Sequence, residues 1–341
     1  MPVFPSLPSV PRGVRRVALG ALVVVPALGV SAAHAAPTPS PAPPADAVVL
    51  EQRPIAVSAS GATVAWLRRT DATGKRAVLV VRDGPGAAPR VIDRALPTAP
   101  VDVAVGTDRA GKAVAVVATA NTTTFRTRPS SQPVQRGALY VLPLDGSAAP
   151  KRLPVSAPGT DLSAPGLLAG RVSFARLQRT GGKQGWTLHS GTLTGRRSTV
   201  EARQAAATSL SATTSIRATT PIRGGGLAYT TATPRERGGA GFTFALRVVR
   251  ANGRTSVVSR TSFGGSAYNE TGFGPLTVSP NGARVSAVRG TTGLHTWSVP
   301  SGRSVSTVPT GSDNGKSVPA GPEGLAVVGS DGVLRLIPHQ G

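Results

Sequence analysis

From Ala47 onward the apolar positions fall in short runs rich in Val, Thr and Ala, broken by Gly, Pro, Asn-Gly and Asp-Gly. Helical spacing is nearly absent, so the pattern reads as all-β. One element recurs: a short strand, a glycine-containing turn, and a strand of small or β-branched residues. It appears as IAVSASGATVAW from Ile55, VDVAVGTDRAGKAVAVVA from Val101 and SAPGLLAGRVSFAR from Ser163. It returns as IRATTPIRGGGLAYT from Ile216, LTVSPNGARVSAV from Leu276 and SVPAGPEGLAVVG from Ser317. Aligned at Ala65, Ala115, Ser173, Ala228, Ser286 and Ala326, the copies are spaced by 50, 58, 55, 58 and 40 residues.

A third strand follows five of these elements: AVLVVR from Ala77, ALYVLPL from Ala138, GWTLHSGTL from Gly185, FTFALRVV from Phe242 and GLHTWSV from Gly293. Tight turns come next, at Asp83-Gly84, Asp145-Gly146, Thr194-Gly195, Asn252-Gly253 and Ser301-Gly302. Such dipeptides supply the positive φ that short hairpins demand, and each leads into a fourth strand. Four antiparallel strands repeated about every fifty residues predict the blades of a β-propeller. The sixth unit has GLAVVG and VLRLIP but no fourth strand, whereas AVVLEQ at 47–52 is a spare. Pairing the spare with the last blade closes a six-bladed ring and removes two open edges. Two β-sandwiches would not explain six occurrences in one order.

Blade five adds a family resemblance. Val278-Ser279-Pro280-Asn281-Gly282-Ala283-Arg284-Val285-Ser286-Ala287, followed by Leu294-His295-Thr296-Trp297-Ser298-Val299, resembles the SPDG repeat of TolB-type and WD40-like propellers. Asn281 replaces the usual Asp and keeps the turn chemistry. The other blades depart from the motif, and no WD or GH dipeptide marks them. The resemblance implies the fold and a habit of binding proteins or ligands on one face; it carries over no catalytic residue.

Ahead of the repeats, Arg12, Arg15 and Arg16 precede an apolar run at 17–30, and Ala33-His34-Ala35 follows. A basic region, an apolar stretch and a small-x-small site predict a secretory leader over 1–35, cleaved after Ala35. The run is short for a membrane span and is interrupted by Gly20, Pro26 and Gly29, so no transmembrane segment is expected in the mature chain. Arg15-Arg16 lacks a following Phe, which favours the general export route over the twin-arginine one. Residues 36–46, with five prolines in eleven, predict a disordered spacer, and 47–341 the propeller.

Charge then narrows the partners. The chain has 38 Lys+Arg against 15 Asp+Glu, and removing the leader leaves 35 against 15, a net +20. Arginine supplies 33 of the 38 cations, a skew that GC-rich coding would also write. The resulting field attracts polyanions at low salt whatever its origin. Export and the 4% aromatic content argue against nucleic acid. Absent cysteine excludes disulfides, thiolate metal sites and a Cys nucleophile. With four His and no paired carboxylates evident, neither a metal, a cofactor nor a catalytic residue is expected. His189 and His295 lie on third strands without an acid close in sequence. Gly224-Gly225-Gly226 lies between strands and is not a phosphate loop.

The predicted site is the propeller face built from the second-to-third-strand and blade-to-blade connections. Long loops are expected there at 121–135, 178–185, 204–214, 231–241 and 261–274, and function concentrates on such loops. Three of them carry Arg126 and Arg128, Arg179 and Lys183, and Arg235 and Arg237, a candidate arc for phosphate or carboxylate groups. In 262–275, Phe263, Tyr268 and Phe273 combine with Asn269 and Glu270, which suits sugar or peptide contacts or fills the gap between blades four and five. The expectation is an exported, monomeric, non-enzymatic binding module at the bacterial envelope, taking a protein or an anionic wall or surface polymer. The alternatives are a propeller lyase or hydrolase working in the central channel, and the scaffold of an envelope complex.

Overall fold

The computed structural model describes residues 47–338 except 74, 98, 121–136, 157–160, 210–211, 236–240, 265–271, 290–292, 309–317, 322–323 and 330. These lie within one compact unit, Ser40–Gly341. The leader, cleavage site and spacer expected over 1–46 fall outside the described residues. Among the described residues no helix is long and apolar enough to cross a membrane.

Six four-stranded antiparallel sheets form the ring. Blade 1 contains β2 (Val57–Ser60), β3 (Thr63–Arg69), β4 (Ala77–Arg82) and β5 (Arg90–Ile92). Blade 2 contains β6 (Pro100–Thr107), β7 (Ala113–Thr119), β8 (Ala138–Pro143) and β9 (Lys151–Arg152). Blade 3 contains β10 (Asp161–Leu168), β11 (Arg171–Thr180), β12 (Lys183–Thr192) and β13 (Thr199–Arg203). Blade 4 contains β14 (Ser215–Pro221), β15 (Leu227–Pro234), β16 (Gly241–Val249) and β17 (Thr255–Gly264). Blade 5 contains β18 (Thr277–Val278), β19 (Arg284–Val288), β20 (Leu294–Ser298) and β21 (Ser304–Val308). Blade 6 contains β22 (Val318–Pro319), β23 (Gly324–Val328), β24 (Val333–Pro338) and, as its fourth strand, β1 (Val48–Gln52).

The closure is the one the spare strand predicts. β1 runs antiparallel to β24, with Val49 opposite Arg335 and Gln52 opposite Val333. Glu51 then ties the seam to blade 1: its carboxylate accepts from the buried Trp66 indole at 3.0 Å, from Arg68 Nε and from the Gln52 amide. Burial acts most strongly on this carboxyl and pushes its pKa up, but the donors and the Arg68 charge together outweigh it and hold the group below its usual value.

Packing runs between blades, as flat sheets set side by side require. Leu67, Leu79 and Val81 of blade 1 meet Val105, Val117 and Leu142 of blade 2. Val114, Val116 and Leu139 meet Leu162, Val172 and Phe174 across the next seam. Among the described residues the seam of blades 5 and 6 is the leanest, with Val288 and Leu294 against Leu325 and Val327. Glycine at the expected turns takes positive φ at Gly84, Gly146, Gly253 and Gly302; the blade 3 turn at Gly195 closes without it.

One expected loop is a hairpin instead. β11 and β12 pair from Arg171–Thr192 out to Thr180–Lys183, so 178–185 is strand except for Gly181-Gly182 at φ 58 and 74. The polar ends of these strands project past the apolar seam, so burial leaves no alternation there to read as β.

Candidate functional site

In each blade the first strand lies innermost, and the six first strands surround the axis. Each starts on the loop rim, the one carrying the blade-to-blade connections. Their walls are cross-tied. Val105 N donates to Ser58 Oγ at 3.1 Å, joining blades 1 and 2, and Thr219 Oγ1 donates to the Ala164 carbonyl at 2.7 Å, joining blades 4 and 3. Blades 3 and 4 approach so closely that a Cβ on Gly166 would sit 2.2 Å from the Thr219 carbonyl oxygen.

A cavity of about 600 Å³ occupies the axis, lined by residues of blades 1 to 5. The lining consists of the opening residues of inner strands (Val57, Val101 to Ala104, Arg217 to Thr219) and residues just before them (Ile55, Phe273 to Leu276). It therefore opens on the loop rim. Three consecutive blades place residues here by one device. The ladder of β6 slips between Pro100 and Asp102, that of β10 between Ser163 and Gly166, and that of β14 between Ile216 and Ala218. Of the displaced residues, Val101, Pro165 and Arg217 line the cavity, while Ala164 turns into the seam of blades 3 and 4. A bulge re-aims a side chain that regular pleating would turn into a seam.

The chemistry of the mouth is mixed. Arg217 is exposed; Asp102 is half-buried and accepts the Val103 amide at 2.8 Å. Val101 is 38% exposed, and the other exposed large hydrophobic residues among those described (Val48, Val49, Val91, Val200, Val257, Val305) all lie on fourth strands. Val101 thus leaves an apolar face on the axis, beside Phe273, Pro275 and Leu276.

The residues singled out from sequence separate into groups. Phe273 reaches the site: it bridges to Arg289, sets its ring edge-on to Trp297 at 6.1 Å, and lines the cavity, so it both wedges blade 5 and faces the channel. Arg179 and Lys183 lie at the tip of the β11–β12 hairpin. Arg179 is engaged, its Nη2 3.2 Å from Oδ2 of Asp161, whose side chain is 4% exposed. Arg235 follows β15 and is exposed, its amide donating to the Gly241 carbonyl. Phe263 belongs to β17, opposite Phe242. Arg126, Arg128, Arg237, Tyr268, Asn269 and Glu270 lie outside the described residues.

Both strand histidines are absorbed into blades. His189 is buried, stacked on Phe174 at 5.3 Å, with Nε2 2.9 Å from Thr187 Oγ1 and Nδ1 3.0 Å from Ser198 Oγ. Desolvation, helped by the charges of Arg176 and Arg203, lowers its pKa to about 4, so the ring is neutral at pH 7. His295 stacks on Trp297 and lies 3.0 Å from Thr307 Oγ1; burial and Arg289 lower its pKa as well. Among the described residues no three His, Asp or Glu side chains converge as metal ligands.

Sequence reasoning missed Asp102 and Arg217. Each is a charge near the opening of an inner strand, in VDVAV and IRATT, where the neighbouring strands are apolar. That departure from pattern was the available signal.

No family model matches the chain, and no curated protein matches it. Solved structures share its architecture only loosely. An alpha-L-arabinanase of Penicillium chrysogenum, solved with arabinobiose, aligns with a TM-score of 0.46 and 13% identity over 86% of this chain and 97% of that one. Hydrazine synthase of Kuenenia stuttgartiensis aligns at 0.44 and 12% over 85% and 96%, and a protein of unknown function from Bacteroides thetaiotaomicron at 0.44 and 11% over 85% and 71%. The chain spans 30% of the tricorn protease and 50% of the puromycin hydrolase that it also matches. The likeness is one of general fold alone.

Proposed function

We propose that this protein is an exported binding module of the bacterial envelope that receives a segment of a partner protein at the channel mouth on its loop rim. One observation carries the reading: three consecutive inner strands break register, and each break places a residue (Val101, Pro165 or Arg217) on the cavity wall. The mouth offers a guanidinium, a carboxylate and an apolar wall on cross-tied strands, which is recognition chemistry on a rigid frame. The basic leader and small-x-small site at Ala33-His34-Ala35 support export. N-terminal sequencing of protein from the envelope fraction should begin at Ala36.

The test is crosslinking from intact cells with wild-type protein and an Arg217→Ala/Val101→Asp variant. Both replaced side chains lie at the surface of the channel, so the variant should still fold, which thermal melting checks, while losing the crosslinked partner. A partner retained by a folded variant would refute the channel mouth as the site. The loop-rim cations offer a second contact for an anionic polymer, carried in the described residues by Lys183 and Arg235. The enzymatic alternative would act in the same cavity through Asp102, and Asp102→Asn would then abolish turnover.

A further inference from the structure

The face opposite the loop rim carries a second set of arginines. In blades 3, 4 and 5, Arg196 and Arg197 occupy the β12–β13 turn, Arg223 the β14–β15 turn and Arg254 the β16–β17 turn. Arg284 opens β19 and Arg303 closes the β20–β21 turn; all six are exposed. No described carboxylate shares these turns. The described acids of this face, Asp83, Asp108 and Asp145, all belong to the turns of blades 1 and 2, where Arg90 and Lys112 offset them.

Two further arginines hold these turns in place. Arg171 Nη2 of blade 3 donates to the Gly225 carbonyl of blade 4 at 2.6 Å, and Arg250 Nη2 of blade 4 donates to the Pro300 carbonyl of blade 5 at 3.1 Å. The Arg223 amide also donates to the Gly282 carbonyl of blade 5 at 2.9 Å. The exposed cations are thus fixed in inner and outer rows rather than scattered on independent loops. Between the blade 4 and blade 5 turns a cleft of about 370 Å³ is floored by Ile222, Val299 and Pro300 and flanked by Arg223 and Arg250.

We infer that the tight-turn face of blades 3 to 5 binds a linear polyanion bearing phosphate groups. Guanidinium forks match phosphate oxygens. The cations are spread over three blades, so a small anion reaches one or two of them whereas a chain of phosphates reaches all. None of the exposed large hydrophobic residues among those described lies on these turns, so nothing there would anchor the face in a lipid bilayer. This site is independent of the channel mouth and survives if that reading fails.

The test titrates the full chain with fluorescent long-chain inorganic polyphosphate at several salt concentrations. Six contacts predict a slope of log K against log salt of about −4, taking about 0.7 per phosphate on a flexible chain. Replacing Arg196, Arg197, Arg254 and Arg303 by Gln should make the slope shallower by about 3 and weaken binding roughly a hundredfold at physiological salt. Thermal melting checks that the variant folds; should it not, Arg254→Gln alone should still cost about 0.7 of slope. An Arg69→Gln/Arg94→Gln variant, which removes two exposed cations of the loop rim in blade 1, should keep both affinity and slope. Unchanged binding by the folded quadruple variant, loss confined to the loop-rim variant, or inorganic phosphate competing as well per phosphate as the chain would each overturn the assignment. Binding to phosphatidylserine vesicles without binding to polyphosphate would overturn it in favour of a membrane surface.

Discussion

Replacing Glu51 by Ala probes the ring closure at one carboxylate. Glu51 lies on β1, the strand that completes blade 6, while two of its donors, Trp66 and Arg68, lie on β3 of blade 1. Trp66 is fully buried, so the truncation strands an indole N–H away from water at a cost of about 1–3 kcal/mol. The Arg68 side chain is 38% exposed, so solvent screens its share and the ion pair adds about 0.5 kcal/mol. A total of about 1.5–3.5 kcal/mol should lower Tm by roughly 2–6 °C in a domain of about 300 residues. Glu51→Gln keeps an acceptor for Trp66 but not the charge, and should fall between the two.

The same contact sets a pH signature. The Glu51 carboxyl has a folded pKa below its unfolded value, so its stabilisation is present above the unfolded pKa of 4.5 and is lost as pH falls through the folded value. Wild type and Glu51→Gln should therefore differ in Tm at pH 7 and converge in the acid range. Thermal unfolding followed by circular dichroism measures both. A Glu51→Ala protein that melts with wild type, or a gap between wild type and Glu51→Gln that persists in acid, would refute the clasp.

Two further perturbations test the interior. His189 has a folded pKa of about 4 against 6.5 unfolded, so the unfolded chain binds the extra proton and stability falls as pH drops from 6.5 towards 4, by about 3 kcal/mol in all. His189→Gln should flatten that slope in urea titrations at pH 7 and 5; a His189 ring that titrates near pH 6.5 in NMR spectra would contradict the burial. Gly166→Ala places a Cβ 2.2 Å from the Thr219 carbonyl oxygen and 2.6 Å from Ser173 Oγ, forcing the inner strands of blades 3 and 4 apart. The expected cost is about 1–3 kcal/mol by thermal unfolding, and an unchanged Tm would show that this wall yields.

The ring was legible in the chain because its two determinants are local. Each blade repeats a strand, a glycine turn and a β-branched strand, and AVVLEQ is apolar enough to pair yet has no neighbour of its own. The site was less legible because its determinants are not local. A bulge at Val101 or Arg217 leaves the composition of the strand unaltered and changes only its register with a neighbour. Arg179 reads as a free loop cation until Asp161, buried at the opening of β10, is found beside it. Phe273 was open between ligand contact and wedge, and it serves as a wedge against Trp297 while facing the cavity. The arginine rows opposite are hidden in the sequence because their turns are short and read as connectors; their grouping appears only once blades 3 to 5 are set side by side.

Everything proposed for the two faces depends on β1 lying beside β24, and the absence of native cysteine makes that contact directly testable. Val49 and Arg335 are cross-strand partners, close enough for a disulfide without backbone movement. Val49→Cys/Arg335→Cys should oxidise within one chain, giving a peptide map in which an N-terminal fragment is joined to a C-terminal one, and should melt higher than its reduced form. A pair that stays reduced under mild oxidant, or that links only separate chains, would contradict the closed ring.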